Sequence, residues 1–153
     1  MAKIAGIISD THGLIRSEAL QALAGVDLII HAGDIGGDEV LEALRAIAPV
    51  FAIRGNVEND WRIAALAAER TVEIDTIRIL VLHNLAELKF DPAEKNYAAV
   101  ISGHSHKPGY EFRGGVLFLN PGSAGPRRFR LPVSVARIRL EGGRLEPEII
   151  HLL

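Results

Sequence analysis

Short apolar runs alternate with helical patterns in the first half of the chain. Ile4 to Ser9, Leu28 to His31 and Val50 to Ile53 have the length and composition of strands. Between them, Ser17 to Ala24 and Asp38 to Ala48 place Leu and Ala at three- and four-residue spacing. That spacing predicts amphipathic helices, with Ser17 and Asp38 as their N-caps. Trp61 to Ala68 predicts a third helix. Beyond it the texture changes to β-branched runs parted by turn residues: Val72 to Ile74, Ile77 to Leu82, Ala99 to Ser102, Val116 to Leu119, Val133 to Leu140 and Leu145 to Ile150. The pairs Gly114-Gly115 and Gly142-Gly143 lie between such runs and predict hairpin turns. Strands alternating with helices, followed by a β-rich half, predict an α/β protein in which two sheets share one core with helices outside.

Composition narrows the picture. The 153 residues fit one domain spanning 1–153, and a composition of 48% hydrophobic and 24% charged residues is that of an ordered globular chain. A net charge of -2 without a long basic tract argues against binding a nucleic-acid duplex. Apolar runs of about eight residues fall short of the ~20 that cross a bilayer, so no membrane span is expected. The apolar start carries no small-residue cleavage site after it, and the expected location is cytoplasmic. The absence of cysteine removes disulfides, thiolate nucleophiles and cysteine zinc sites, so any metal must be held by nitrogen and oxygen.

The candidate chemistry lies in where the polar residues fall. Five apolar runs each end in potential metal ligands: Asp10-Thr11-His12, Gly33-Asp34, Gly55-Asn56, His83, and Gly103-His104-Ser105-His106. In open α/β sheets ligands bind at the carboxyl ends of strands, so all five are expected at one edge. On an extended segment, residues two apart point to one side, which would let Asp10 and His12 grip one ion and let His104 and His106 be shared between two. A glycine before Asp34, Asn56 and His104 would permit close approach to an ion. Any one fragment alone is more often a turn or a solvated loop. Five in the same structural position are not readily a coincidence.

Taken in order, these motifs resemble the ligand series of the calcineurin-like metallophosphoesterases. The opening Ser9-Asp10-Thr11-His12 and the later Asn120-Pro121-Gly122-Ser123 resemble their small single-domain phosphodiesterase branch, and the likeness runs from Ile7 to about Arg128. The resemblance implies a two-sheet β sandwich flanked by helices in four layers. It also implies two divalent ions: Asp10, His12 and His106 on the first, Asn56, His83 and His104 on the second, and Asp34 bridging. Asp34, Asn56 and His104 are the residues it places in catalysis. Mixed carboxylate, amide and imidazole ligands favour Mn, with Ni, Fe, Zn or Co as alternatives, over Ca and Mg. Two such ions, less two carboxylates and a bridging hydroxide, leave about one positive charge, suited to a small anionic phosphate ester. The implied reaction is in-line attack of metal-bound hydroxide on phosphorus.

One departure bears on substrate. Many family members carry a histidine after Gly-Asn that protonates the leaving group; here the residue is Val57. General acid catalysis contributes about 100- to 10,000-fold, so its loss tilts the expectation toward phosphodiesters with acidic leaving groups. A phosphomonoesterase or nucleotidase of the same fold is the rival. A non-catalytic scaffold, like the superfamily's retromer subunit, is weaker because that subunit lacks several ligand histidines and this chain has all seven ligand types. Asn84 stands where the family often has glycine and is expected to alter only its loop. Around the site, His31 is a candidate to orient a ligand or phosphate, or simply a hydrogen-bonded strand end. Arg127, with Arg128 and Arg130, is a candidate phosphate contact, though plain exposure is expected of at least two of the three. Trp61 is expected in the core rather than over the site as a lid, and His151 is expected to be incidental. Oligomeric state is left open, a homo-oligomer included.

Overall fold

The structure, a computed structural model, describes residues 2–56 and 58–153. Its elements in chain order are β1 (Lys3–Ile8), α1 (Ser17–Ala22), β2 (Leu28–His31), α2 (Asp38–Arg45), β3 (Val50–Ala52), α3 (Trp61–Ala64), β4 (Glu69–Ile74), β5 (Ile77–Leu82), β6 (Ala99–Ile101), β7 (Gly109–Arg113), β8 (Val116–Asn120), β9 (Ser134–Glu141) and β10 (Arg144–His151). They form two mixed five-stranded sheets, ordered β10-β9-β1-β2-β3 and β4-β5-β6-β8-β7. The central strands β1, β2 and β3 run parallel, as do β5, β6 and β8, and antiparallel strands close both edges of the second sheet and the β10 side of the first.

The two sheets face one another across a core that includes Ile7, Ile30, Ile53, Ile79, Val81, Ile101, Leu119 and Ile138. On the other side of the first sheet, Ile8, Ile29 and Val135 pack with Leu23 and with Leu41 and Leu44 of α2. Continuous apolar runs form β1, β2 and β5 because these strands are covered on both faces. The outer face of the second sheet carries Leu80, Val100 and Val116, with Leu85, Leu88 and Phe90 against them. The fourth layer expected there is made of the 3-10 turns Leu85–Glu87 and Pro92–Lys95 rather than α-helices.

Local differences have physical causes. The N-caps of α1 and α2 are Arg16 and Gly37, neither with a side-chain cap, so Ser17 and Asp38 are the first helical residues. Asp60 does cap α3, its carboxylate accepting from Arg62 N at 3.0 Å, yet α3 lasts a single turn. Trp61 is 78% exposed, against the expectation of core packing; Ile63 is the residue that α3 buries. Strand β7, unmarked in the sequence, is an edge strand exposed along its length, and hairpin turns at Gly114-Gly115 and Gly142-Gly143 join it to β8 and β9 to β10. All four of those glycines have positive φ, from 57° to 82°, as the tight hairpin turn requires.

Candidate metal centre

Strands β1, β2, β3, β5 and β6 all end at one edge of the sandwich, and backbone bonds continue past their ends into the loops. Asp10 N donates to Gly33 O, His12 N to Asp34 O, and Gly13 N to Ile35 O, at 3.0, 2.9 and 2.8 Å. Gly103 N donates to His83 O at 2.9 Å, tying the loops after β5 and β6 together. The loops are not extended, however. Asp10, His12, Asp34, His104 and His106 lie at φ of 55°, 47°, 56°, 71° and 61°. The alternating geometry expected of Asp10-His12 and His104-His106 is therefore replaced by left-handed kinks. Asp and His enter this region more readily than most residues, at a cost of about 1 kcal/mol or more each, and such strain gathers at functional sites.

All seven candidate ligands come together. Asp10 Oδ1 lies 3.8, 3.7 and 3.3 Å from Nε2 of His12, His83 and His106. Asp34 Oδ2 lies 3.8 Å from His12 Nε2 and 3.2 Å from His83 Nε2, between the two histidines. Asn56 Nδ2 is 3.3 Å from His104 Nδ1, and the His104 ring meets that of His83 at 5.3 Å. Asp10, Asp34, His83 and His106 are buried, while Asn56 and His104 form an exposed lip. Asp10-His12-His106 and Asp10-Asp34-His83 each present donor atoms within 4.8 Å of one another.

The polar atoms at the centre test whether a cation fits. Asp10 Oδ1, His12 Nε2, His83 Nε2 and His106 Nδ1 are buried with no hydrogen-bond partner among the described residues. A buried polar atom left so costs about 1–3 kcal/mol, and three of the four face the space between Asp10 and Asp34. Nitrogen and carboxylate donors of this kind suit a transition-metal ion. His83 Nδ1 donates to Ala32 O at 2.7 Å, leaving Nε2 as a lone-pair donor toward the carboxylates. Without a cation, burial disfavours the charged His83 ring, but its pKa is raised because a protonated Nε2 would gain Asp34 as an acceptor, with the Ala32 carbonyl on Nδ1 and the field of Asp10 acting the same way. Burial, with Arg128 and His12 adding to it, lowers that of His106.

The glycines permit the close packing. A Cβ on Gly55 would overlap the backbone N and carboxylate of Asp34, and one on Gly103 would overlap Ser9 Oγ and the Asp10 carboxylate. Behind the candidate ligands stands a set of supports. Buried His31 accepts from Gly33 N through Nδ1 at 3.1 Å, so its Nε2–H faces Thr11 Oγ1 at 3.0 Å, and that hydroxyl donates to Ile35 O. Burial, helped by His83, holds His31 neutral, with its pKa lowered to about 3. His31 is thus both a hydrogen-bonded strand end and a brace between the loops of Asp10 and Asp34. Ser123 Oγ donates to Asp10 O at 3.0 Å, and Asn120 Nδ2 donates to Gly103 O at 2.9 Å, which gives the Asn-Pro-Gly-Ser stretch its place.

Sequence reasoning missed Glu58. Its carboxylate accepts from Ile35 N, Gly36 N and Gly55 N at 3.1, 3.2 and 2.9 Å, joining the loop after Asp34 to the loop before Asn56. The only signal was an acidic residue two positions past Gly-Asn. Arg127, Arg128 and Arg130 are all exposed; Arg127 Nε donates to Leu131 O, and it is the charge of Arg128 that reaches His106. His151 ends β10, and Val57 lies outside the described residues. Asn84 does more than shape a loop. It caps the turn Leu85–Glu87, accepting from Ala86 N at 3.1 Å, and it lines two clefts that flank the centre. One cleft, of about 330 Å³, runs past Asn56 and His83 to Arg54 and Glu69; the other, of about 490 Å³, runs past His104 over Phe118.

Comparison with known proteins bears on the family and the fold. Residues 4–143 match the calcineurin-like phosphoesterase superfamily domain. A probable metallophosphoesterase of Methanothermobacter thermautotrophicus is 32% identical, over 95% of this chain and 91% of that protein. Among solved structures, an archaeal phosphodiesterase superposes with a TM-score of 0.81 at 23% identity, covering 97% of this chain and 99% of the other. Vps29 of Chaetomium thermophilum superposes at 0.78 with 16% identity, covering 97% and 96%. At those identities the two structures bear on the fold alone.

Proposed function

The chain belongs to the calcineurin-like phosphoesterase superfamily, and on that premise we propose that it is a single-domain phosphodiesterase using two divalent transition-metal ions. Asp10, His12 and His106 would hold one ion, Asn56, His83 and His104 the other, with Asp34 between them. The observation that carries this reading is the group of buried, unpartnered donor atoms gathered around Asp10 and Asp34. When bound, the ions supply a hydroxide nucleophile and neutralise charge on the phosphoryl oxygens. Asn56 and His104, at the exposed lip, would meet a phosphate oxygen, and Arg128 adds positive charge on the His106 side. Mn is the first expectation for the metal, with Ni, Fe, Zn or Co as alternatives.

Two features support a diester over a monoester. Clefts leave the centre in two directions, with Asn84 between them, giving both ester arms of a diester a place. Val57 supplies no proton to a leaving group, which penalises alkyl monoesters, whose leaving groups are basic. The test is kcat/KM for bis(p-nitrophenyl) phosphate against a set of alkyl phosphate monoesters, on protein loaded with Mn. Faster turnover of the monoesters overturns the diester preference. Fewer than one transition metal per chain in protein purified without chelator, with no activity on added Mn, overturns the enzyme reading as a whole.

A further inference from the structure

The larger of the two clefts has the build of a specificity pocket. Alternation along β8 sends Leu117 and Leu119 into the core between the sheets and Phe118 and Asn120 to the outer face, where Phe118 and Leu85 both pack against the cluster of Leu80, Val100 and Val116. Phe118 and Leu85 give the cleft an apolar floor and wall. Gly103 and His104 line its inner end, so it opens directly from the lip of the candidate centre. Its volume of about 490 Å³ lies in the range of small-molecule pockets and is too small for a folded partner.

The charges along it select among occupants. The Arg113 guanidinium lies 4.1 Å from the centre of the Phe118 ring and pairs with Glu111 at 2.7 Å. The ring is therefore already engaged by a cation, and Lys107 adds a second positive group to the wall. Glu111 also lines the cleft and offsets Arg113, so a trimethylammonium arm would meet the like charge of Lys107 and a Phe118 face already taken by Arg113, and a methyl arm would leave the apolar wall uncovered. A flat ring would lie against Leu85 and beside the stack that Arg113 makes with Phe118.

Resting on the phosphodiesterase reading, we propose that this cleft receives one ester arm of the substrate and that the arm is an aryl or heteroaryl group, neutral or anionic, no larger than a nucleoside. Gly109 provides the means to test it. It pairs with Asn120, whose side chain faces Gly103 and Ser105 in the cleft, and a Cβ there meets nothing within 4 Å. A Gly109→Phe side chain would therefore fill the cleft without disturbing the ligands. The probes are methyl phenylphosphonate and methyl methylphosphonate, with binding to Mn-loaded protein read by calorimetry.

The phenyl compound is expected to bind at least about tenfold more tightly, the effect of burying most of one ring. Gly109→Phe and Leu85→Ala should each bring the ratio below about threefold, with metal content and melting temperature as the check that fold and centre persist. Equal binding of the two probes, or a ratio that survives both substitutions, overturns the assignment. So does tighter binding of the choline ester of methylphosphonic acid. Hydrolysis of bis(p-nitrophenyl) phosphate by the same preparations separates the two readings. No hydrolysis overturns the phosphodiesterase reading, whereas hydrolysis without arm preference overturns only the cleft assignment.

Discussion

Replacing Glu58 should unhook at once two loops that carry candidate ligands. Its carboxylate holds Ile35 N and Gly36 N on one side and Gly55 N on the other, at 2.9 to 3.3 Å. A hydrogen bond to a charged group contributes about 1.5–3 kcal/mol, and a neutral one about 1. The bond to Gly36 is exposed, so water replaces it, while those to Ile35 and Gly55 are partly buried and cost more to lose. Glu58→Ala is therefore expected to cost about 2–4 kcal/mol, which lowers the melting temperature of a chain this long by roughly 5–15 °C. Glu58→Gln can keep the bonds on one oxygen but turns an amide N–H toward Gly55 N, and should lose about half as much. Because the loops carry Asp34 and Asn56, Mn affinity should also fall by about 10- to 100-fold, as when the partners of metal ligands are removed. Thermal melts and Mn titration of the parent and the two variants measure both effects. A Glu58→Ala protein that melts within about 1 °C of the parent and binds Mn equally well refutes the reasoning.

Other perturbations separate the fold from the centre. Gly55→Ala and Gly103→Ala would drive a methyl group into the carboxylates of Asp34 and Asp10, and elemental analysis should find bound metal reduced while far-UV circular dichroism is retained; full metal content in both would contradict the packing argument. Saturating metal at about 100-fold over Kd adds about 2.7 kcal/mol per site, so Mn should raise the melting point by about 5 °C or more and chelator should reverse it. No shift with Mn, Ni or Zn would count against a metal centre. His31 sets a pH dependence. In the folded chain its pKa is lowered to about 3 by burial, against a value near 6.5 when unfolded, so the unfolded chain takes up a proton that the folded one refuses. Its contribution is complete above pH 6.5 and is withdrawn as the pH falls toward 3. Metal-free protein should thus lose stability between about pH 7 and 5, and His31→Asn, whose oxygen can still accept from Gly33 N, should lose less over the same interval. Equal slopes would remove His31 from the account.

Much of this arrangement was legible in the sequence because strand burial and ligand placement share one signal. β1, β2 and β5 are covered on both faces, so each reads as an apolar run, and the first polar residue after the run falls at the sheet edge where the loops meet. The same rule hid β7, whose Gly-Tyr-Glu-Phe-Arg is exposed throughout and shows no run at all. Trp61 escaped for the opposite reason: an aromatic residue in a helical pattern suggests burial, yet a one-turn helix has room for only one inward residue, and Ile63 takes it. Glu58 was invisible because its partners are backbone N–H groups from another loop, which no pattern of side chains records. Candidate ligands could be named, but their kinked backbone could not, since positive φ for Asp and His has no spacing signature.

That kinked backbone explains how a crowded polar cluster can exist in an otherwise apolar fold. None of the seven candidate ligands belongs to the hydrophobic clusters that join the sheets and helices. The layers are held by Ile, Leu and Val, and the loops are pinned by backbone bonds such as Asp10 N to Gly33 O and Gly103 N to His83 O. The strain of five left-handed residues and the cost of unpartnered donors thus fall on loops that the rest of the protein over-determines. A cation would relieve the second cost without having to build the fold, in contrast to small domains that are unfolded until metal binds. The same division leaves Asp10, Asp34, His83 and His106 buried at the bottom of the centre while its lip, Asn56 and His104, stands at the surface between two clefts. On the proposed reading, substrate preference would then be set outside the seven candidate ligands, by the residues that line those clefts, such as Arg54 and Glu69 in one and Phe118 and Lys107 in the other.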